Sequence, residues 1–147
     1  MSHISTIQVE IKDLSAVKAV CARMGWTFVE NQSTYAWYGQ LVGDQTARLA
    51  AMGMTAADMG KCLHAIKVPG CRYEIGVAAG MNGKGFRFAF DTYRNGGLDN
   101  VIGSDGSKLS QLYAIEKVKI EARRKGYMVR ETARQDGSIK LDITGIA

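Results

Sequence analysis

The sequence predicts a single α+β domain, a mostly antiparallel sheet with two main helices. Three observations carry that expectation. The 147 residues suit one domain. Short stretches alternating apolar and polar residues are separated by turn signals rather than by helices. The two stretches with helical periodicity lie far apart, at 14–24 and near 108–125, without the strand–helix alternation of a parallel sheet.

The predicted order is β-α-β-β-excursion-β-β-β-α-β-β. "TIQVEI" opens as a strand, with Ile7, Val9 and Ile11 on one face and Gln8 and Glu10 on the other. Asp13 then offers a carboxylate to the orphan N–H groups of a helix. Leu14, Val17, Cys21 and Met24 recur on one face of that helix, and Gly25 ends it. "WTFVE" and "TYAWYGQLV" read as the next two strands. Residues 43–61 are Ala- and Met-rich and interrupted by Gly53 and Gly60, an excursion with one short helix. "HAIKV" and "RYEIGVAA" are strands flanking the turn pair Pro69-Gly70. Asn82-Gly83 predicts a hairpin into "FRFAFDTY", since both residues accept positive φ. "RNGGLDNVIGSDGS" reads as loop. "KLSQLYAIEKVKIEARRKG" is the longest helix, closed by Gly126. "YMVRETA" and "SIKLDIT" form a last hairpin turned at Asp136-Gly137.

One segment echoes another. "CARMGWTFVEN" and "EARRKGYMVRET" share a helix end, a glycine, an aromatic, a strand and a glutamate, so Trp26 matches Tyr127 and Glu30 matches Glu131. The echo is read as a common corner solution, an aromatic sealing a helix–glycine–strand turn, rather than as a duplication.

Composition is that of a globule, 46% hydrophobic and 22% charged. No apolar run reaches membrane-spanning length, and the start lacks a signal-peptide layout. Three irregularly spaced cysteines are not a disulfide framework and predict a reducing cytoplasm, that of a host if the chain is viral. The net charge of +5 is uneven. Residues 1–107 hold ten basic and nine acidic groups, whereas 108–147 hold nine basic and five acidic. A basic end of this kind attracts nucleic acid or an acidic protein surface, or is simply a solvated helix face.

The long helix carries two apolar stripes. Leu109, Leu112, Tyr113 and Ile120 make the bulkier one, read as the core face, although Glu116 falls in its middle and a buried carboxylate is costly unless paired. Ile115, Val118 and Ala122, with Ala114 at the edge, make the second. That stripe is a candidate partner or self-association face, or the side covered by a loop. Lys117 and Arg124 lie on one flank, and Lys108, Lys119 and Arg123 on the other. Arg123, Arg124 and Lys125 complement the helix dipole and offer phosphate contacts that Arg130, Arg134 and Lys140 on the hairpin extend. Tyr127 offers a stacking face or seals the corner.

Cys62, His64 and Cys71, with His3, could assemble thiolate and imidazole ligands, but the spacing lacks the paired cysteines of a zinc site. "GMNGKG" and "GSDGSKL" lack the phosphate-loop pattern. No metal, cofactor or catalytic set is predicted, and Asp91, Asp99 and Asp105 are scattered through a loop region.

"MSHISTIQVEIKDL", "GKCLHAIKVPGCRYEIGV" and "QLYAIEKVKIEARRKGYMVRETARQDGSIKLDI" together resemble one family. It is the hypothetical reading frame numbered thirty-five of the plastid ycf series, also described as domain of unknown function twelve fifty-seven, in its bacterial or phage branch. The resemblance spans nearly the whole chain. It matches His3, Tyr73, Glu74, Gly76, Tyr113, Gly126, Glu131, Asp136 and Gly137. The chain departs from plastid-type members at "VAAGMNGKG" and "TYRNGGLDN", where those carry an aromatic and a tryptophan-rich loop. The resemblance implies a shared fold and a role for His3 in a common pattern, and it carries no assigned activity.

The expectation is a small non-enzymatic cytoplasmic binding or adaptor protein. Its basic helix and hairpin would engage a protein partner, a host factor or an ATPase. Two other readings stand beside it: nucleic-acid binding through the same surface, and a metal-binding protein or enzyme centred on His3, Cys62, His64 and Cys71.

Overall fold

A computed structural model describes residues 4–6, 13–37, 39, 58–80, 84–93 and 96–145. Seven strands and three helices form among them, in one α+β domain. In chain order these are β1 (Ile4–Thr6), α1 (Leu14–Met24), β2 (Thr27–Glu30), β3 (His64–Lys67), β4 (Ile75–Ala79), β5 (Phe86–Asp91), α2 (Leu98–Ile102), α3 (Ser107–Arg124), β6 (Tyr127–Ala133) and β7 (Ile139–Gly145). The first five strands make one antiparallel sheet in the order β1-β5-β4-β3-β2, and β6 and β7 make a separate two-stranded sheet.

That strand order sets the path of the chain. β1 and β2 are the two edges of the sheet, so α1 crosses a whole face between them. Asp13 caps α1 as predicted, its Oδ1 accepting from the Ser15 N–H at 2.9 Å, and Gly25 ends it at φ +72°. Ala16, Val17 and Val20 of α1 pack with Ile66, Ile75, Val77, Phe88 and Phe90 of the sheet. Leu109, Leu112 and Tyr113 of α3 close the same core, with the Tyr113 ring edge-on to Phe88. α3 runs antiparallel to α1, since Arg124 near its end reaches the Asp13 cap and Arg23 at the end of α1 reaches Glu116.

The other sheet face is lined by Ala65, Gly76 and Ala89, which stand side by side in the register. These small residues leave room for the Tyr35 ring. A Cβ at Gly76 would overlap that ring, so only glycine permits the contact. Tyr35, Cys62, Ala65 and Ala89 form a second buried cluster with Trp37 against it.

Three expectations change. "TYAWYGQLV" is not a strand over its described part: Thr34 makes an isolated bridge to Lys61, and Tyr35 and Trp37 pack against the second face. The alternation of Tyr35 and Trp37 reflects burial without a ladder. Glu74 fixes this segment, its backbone N–H donating to the Ala36 carbonyl and its carboxylate accepting from the Ala36 N–H, each at 2.9 Å. "RNGGLDNVIGSDGS" is not all loop, because Leu98 and Ile102 drive the short helix α2 into the core. "RYEIGVAA" begins its ladder only at Ile75, since the Arg72 N–H donates to the Gly96 carbonyl instead. His3, residues 7–12, most of the excursion (43–57) and Asn82-Gly83 lie outside the described residues. β4 and β5 nevertheless pair as the predicted hairpin requires.

Candidate functional site

α3 is buried over about half its circumference, which reorganises the predicted stripes. Leu109, Leu112 and Tyr113 are buried as expected, Ile120 is partly buried beside them and Glu116 is buried among them, but Ile115 and Ala122 are buried too. Of the candidate interface stripe, only Ala114 and Val118 reach the surface, Val118 at 37% exposure. The burial arc widens because α1 lies on one side of α3 and β6 folds back along the other.

Glu116 explains that arrangement. Its Oε1 accepts from Arg23 of α1 at 3.3 Å and from Lys119 at 3.3 Å. Lys119 also reaches Glu131 Oε2 on β6 at 3.2 Å, and the second guanidinium nitrogen of Arg23 bonds Glu131 Oε1. Two cations and two carboxylates thus neutralise one another where α1, α3 and β6 meet. A buried carboxylate with one missing partner would be costly; here both are shared. The Arg23 hydrogen bond holds the Glu131 carboxyl below the usual range, opposed by its burial and reinforced by Lys119. The sequence shows Glu116 within an apolar stripe but not the partners that the fold brings to it. The available signal was an acid in an apolar stripe together with an arginine in the last turn of α1.

The predicted basic residues are therefore not one field. Lys119 is turned inward. Lys117 lies about 160° round the helix from Lys119 and so faces away from the hairpin. Arg124 pairs with Asp13 at 3.6 Å, and Lys140 with Asp142 at 3.5 Å. Arg123, Lys125, Arg130 and Arg134 make no ion pair among the described residues and are exposed. The β6–β7 register places Met128, Arg130, Thr132, Lys140, Asp142 and Thr144 on one outward face, with Met128 65% exposed. Glu116 and Glu131 are withdrawn from this surface, which leaves the Lys140-paired Asp142 on the face and Asp136 in the hairpin turn as its nearby acids among the described residues.

Of the candidate metal ligands, His3 lies outside the described residues, and Cys62, His64 and Cys71 are not brought together as a ligand set. Cys62 packs in the second-face cluster, whereas His64 sits on the helix side between the Phe28 and Phe86 rings, its Nδ1 accepting from the Asn31 N–H at 3.0 Å. Cys71 packs against the core that includes Tyr73. No three His, Cys, Asp or Glu side chains converge as metal ligands among the described residues. Burial pushes the Cys21 and Cys62 thiols up to about 11, so both are protonated at neutral pH and are weak nucleophiles. A pocket of about 300 Å³ opens beside Cys62, between Lys61–Leu63 and Ala78–Gly80, with Asp58 and Arg87 at its walls. Nothing in the sequence pattern announced it.

The residues that carry the family resemblance are structural where they are described. Glu74 clamps the Tyr35 segment, Gly76 admits its ring, Tyr113 fills the core, and Glu131 anchors the hairpin. Gly126 and Gly137 turn the chain at φ +81° and +85°, and Asp136 accepts from the Ser138 N–H. No family model, curated protein or solved structure matches the chain. Among the described residues, no helix is long and apolar enough to cross a membrane.

Proposed function

We propose that the chain is a non-enzymatic binding protein that captures an acidic protein segment on the outward hairpin face and the end of α3. One observation carries the reading. Arg123, Lys125, Arg130 and Arg134 are exposed without acidic partners among the described residues, and Met128, which shares the outward hairpin face with Arg130, is mostly exposed. Exposed cations beside exposed apolar area suit a partner that is acidic and amphipathic. Such a protein works in the cytoplasm, where its three free thiols stay reduced. We carry the kinship with the reading-frame-thirty-five family as a proposal too; it brings no partner with it.

Withdrawal of Glu116 and Glu131 favours a second reading, nucleic-acid binding, because it makes the outward field more continuous. The two separate in one experiment. The purified chain is cross-linked in nuclease-treated extract of its native host, beside the Arg123→Glu/Arg130→Glu variant, and contacts are mapped by mass spectrometry. A protein cross-linked through Lys125 or Lys140, and lost in the variant, supports capture of an acidic segment. Binding to an oligonucleotide that weakens steeply with salt, with no such protein, supports the second reading. A captured protein indifferent to the variant removes the hairpin face from both.

A further inference from the structure

The outer edge of β7 is a long, regular strand edge with no neighbour but β6 among the described residues. Such edges are usually shortened, bulged, blocked by proline or covered. Among the described residues β7 is not shortened, bulged, covered or broken by proline, and the charges it carries, Lys140 and Asp142, are of opposite sign. It reads Ile-Lys-Leu-Asp-Ile-Thr-Gly in unbroken alternation, and Ile143 is 48% exposed. A two-stranded hairpin on its own is marginally stable and gains from a third strand.

The hydrogen-bond phase of the edge follows from the turn. The Arg134 N–H donates to the Ser138 carbonyl at 2.9 Å, so Arg134 and Ser138 are a hydrogen-bonded pair. Bonded and non-bonded pairs alternate along an antiparallel ladder. Lys140 and Asp142 therefore point their backbone groups at β6, while Ile139, Leu141 and Ile143 point theirs outward.

We infer that two copies of this chain pair through these outward groups, β7 against β7, about a two-fold axis at Leu141. The charges select that axis. With the axis at Leu141, Lys140 stands opposite Asp142 of the second copy, and Asp142 opposite its Lys140. Moving the axis by one residue sets Lys140 against Lys140, or Asp142 against Asp142, which like charge disfavours. The same axis sets Ile139 opposite Ile143 of the second copy and Leu141 opposite Leu141, so the exposed Ile143 gains an apolar neighbour. The match is self-complementary, as an isologous interface requires. The two bodies fit. α3 packs chiefly on β6, so the two α3 helices stand about three strand spacings apart, ~14 Å, wider than the ~8–10 Å of packed helices. The result is a continuous four-stranded sheet β6-β7-β7-β6. The pairing uses the backbone edge of β7 and shares Lys140 and Asp142 with the outward face.

The test is sedimentation equilibrium on the full chain over a wide concentration range, with Lys140→Asp, Asp142→Lys and the double exchange in parallel. The dimer is expected in the unaltered chain. Each single variant places two like-charge pairs across the axis and weakens association roughly tenfold or more, and the double exchange recovers it relative to Asp142→Lys, with which it shares the same like-charge opposition to Arg130 within the hairpin. A chain that is monomeric throughout, or a dimer insensitive to both single variants, overturns the proposal. A second measurement needs no variant. Amide exchange by NMR should show Ile139, Leu141 and Ile143 protected only as concentration rises, and Lys140 and Asp142 protected throughout. Concentration-independent exchange at the three outward amides also overturns it.

Discussion

Two corners of this molecule use nearly the same residues and end differently. α1 closes at Gly25 and passes through Trp26 into β2; α3 closes at Gly126 and passes through Tyr127 into β6. Both glycines adopt the left-handed conformation, at φ +72° and +81°. Trp26 is 8% exposed and belongs to the core, whereas Tyr127 is 42% exposed. β2 joins the five-stranded sheet and β6 does not. The glutamates differ as well: Glu30 pairs with Lys18 at the surface, while Glu131 is locked between Arg23 and Lys119. Local chemistry thus specifies the corner, and long-range partners specify where its strand goes.

The largest expected effect breaks the aromatic half of the comparison. Trp26→Ala should cost about 3–5 kcal/mol of global stability, as for a buried large aromatic. Tyr127→Ala should change it by less than about 1 kcal/mol, as for an exposed side chain. Urea titration with the same probe on both variants measures the difference. Equal losses would mean that Tyr127 is covered in solution and that the corners are alike.

The next effect acts on the salt-bridge network. Arg23→Ala leaves Glu116 with Lys119 alone and should free the hairpin at a cost of about 1–3 kcal/mol, read as faster amide exchange in β6 and β7. Acid should do the same. The folded carboxyl of Glu131 lies below its unfolded value, so its contribution is present above the ordinary carboxylate range and lost as pH falls through the folded value. Lowering pH from neutral should loosen β6 before β2. The Glu30 carboxyl is also held low by Lys18, but it is solvent-exposed and carries little. Simultaneous loosening of the two strands would show that the hairpin is not an independent unit.

Much of this was legible in the sequence, for physical reasons. Asp13, Gly25, Gly126 and Gly137 act through the backbone within a few residues, so their roles follow from local pattern. Leu109, Leu112 and Tyr113 followed from the period of α3, while the burial of Ile115 and Ala122 did not. What was not legible depends on residues distant in the chain. Glu116 is explained only by Arg23 and Glu131, which pairing across three elements brings within reach. Tyr35 and Trp37 alternate like strand residues, yet the surface they alternate against is Gly76 and its neighbours, remote in sequence. The basic end divided for the same reason: Lys119 and Arg124 met acids that no spacing rule connects to them.

The smallest effect sharpens the comparison most. At both glycines an added Cβ meets nothing within 4 Å. Gly25→Ala and Gly126→Ala therefore share one cost, the left-handed backbone, of about 1–2 kcal/mol each. The penalty should be read in different places. β2 is hydrogen-bonded into the five-stranded sheet, so Gly25→Ala should lower the global unfolding midpoint. β6 pairs only with β7 among the described residues, so Gly126→Ala should raise hairpin exchange while leaving the global midpoint nearly unchanged. Thermal melts paired with amide exchange separate the two. A midpoint lowered equally by both substitutions would mean that the hairpin unfolds only with the body, and that the network at Glu131 binds it as firmly as a sheet ladder binds β2.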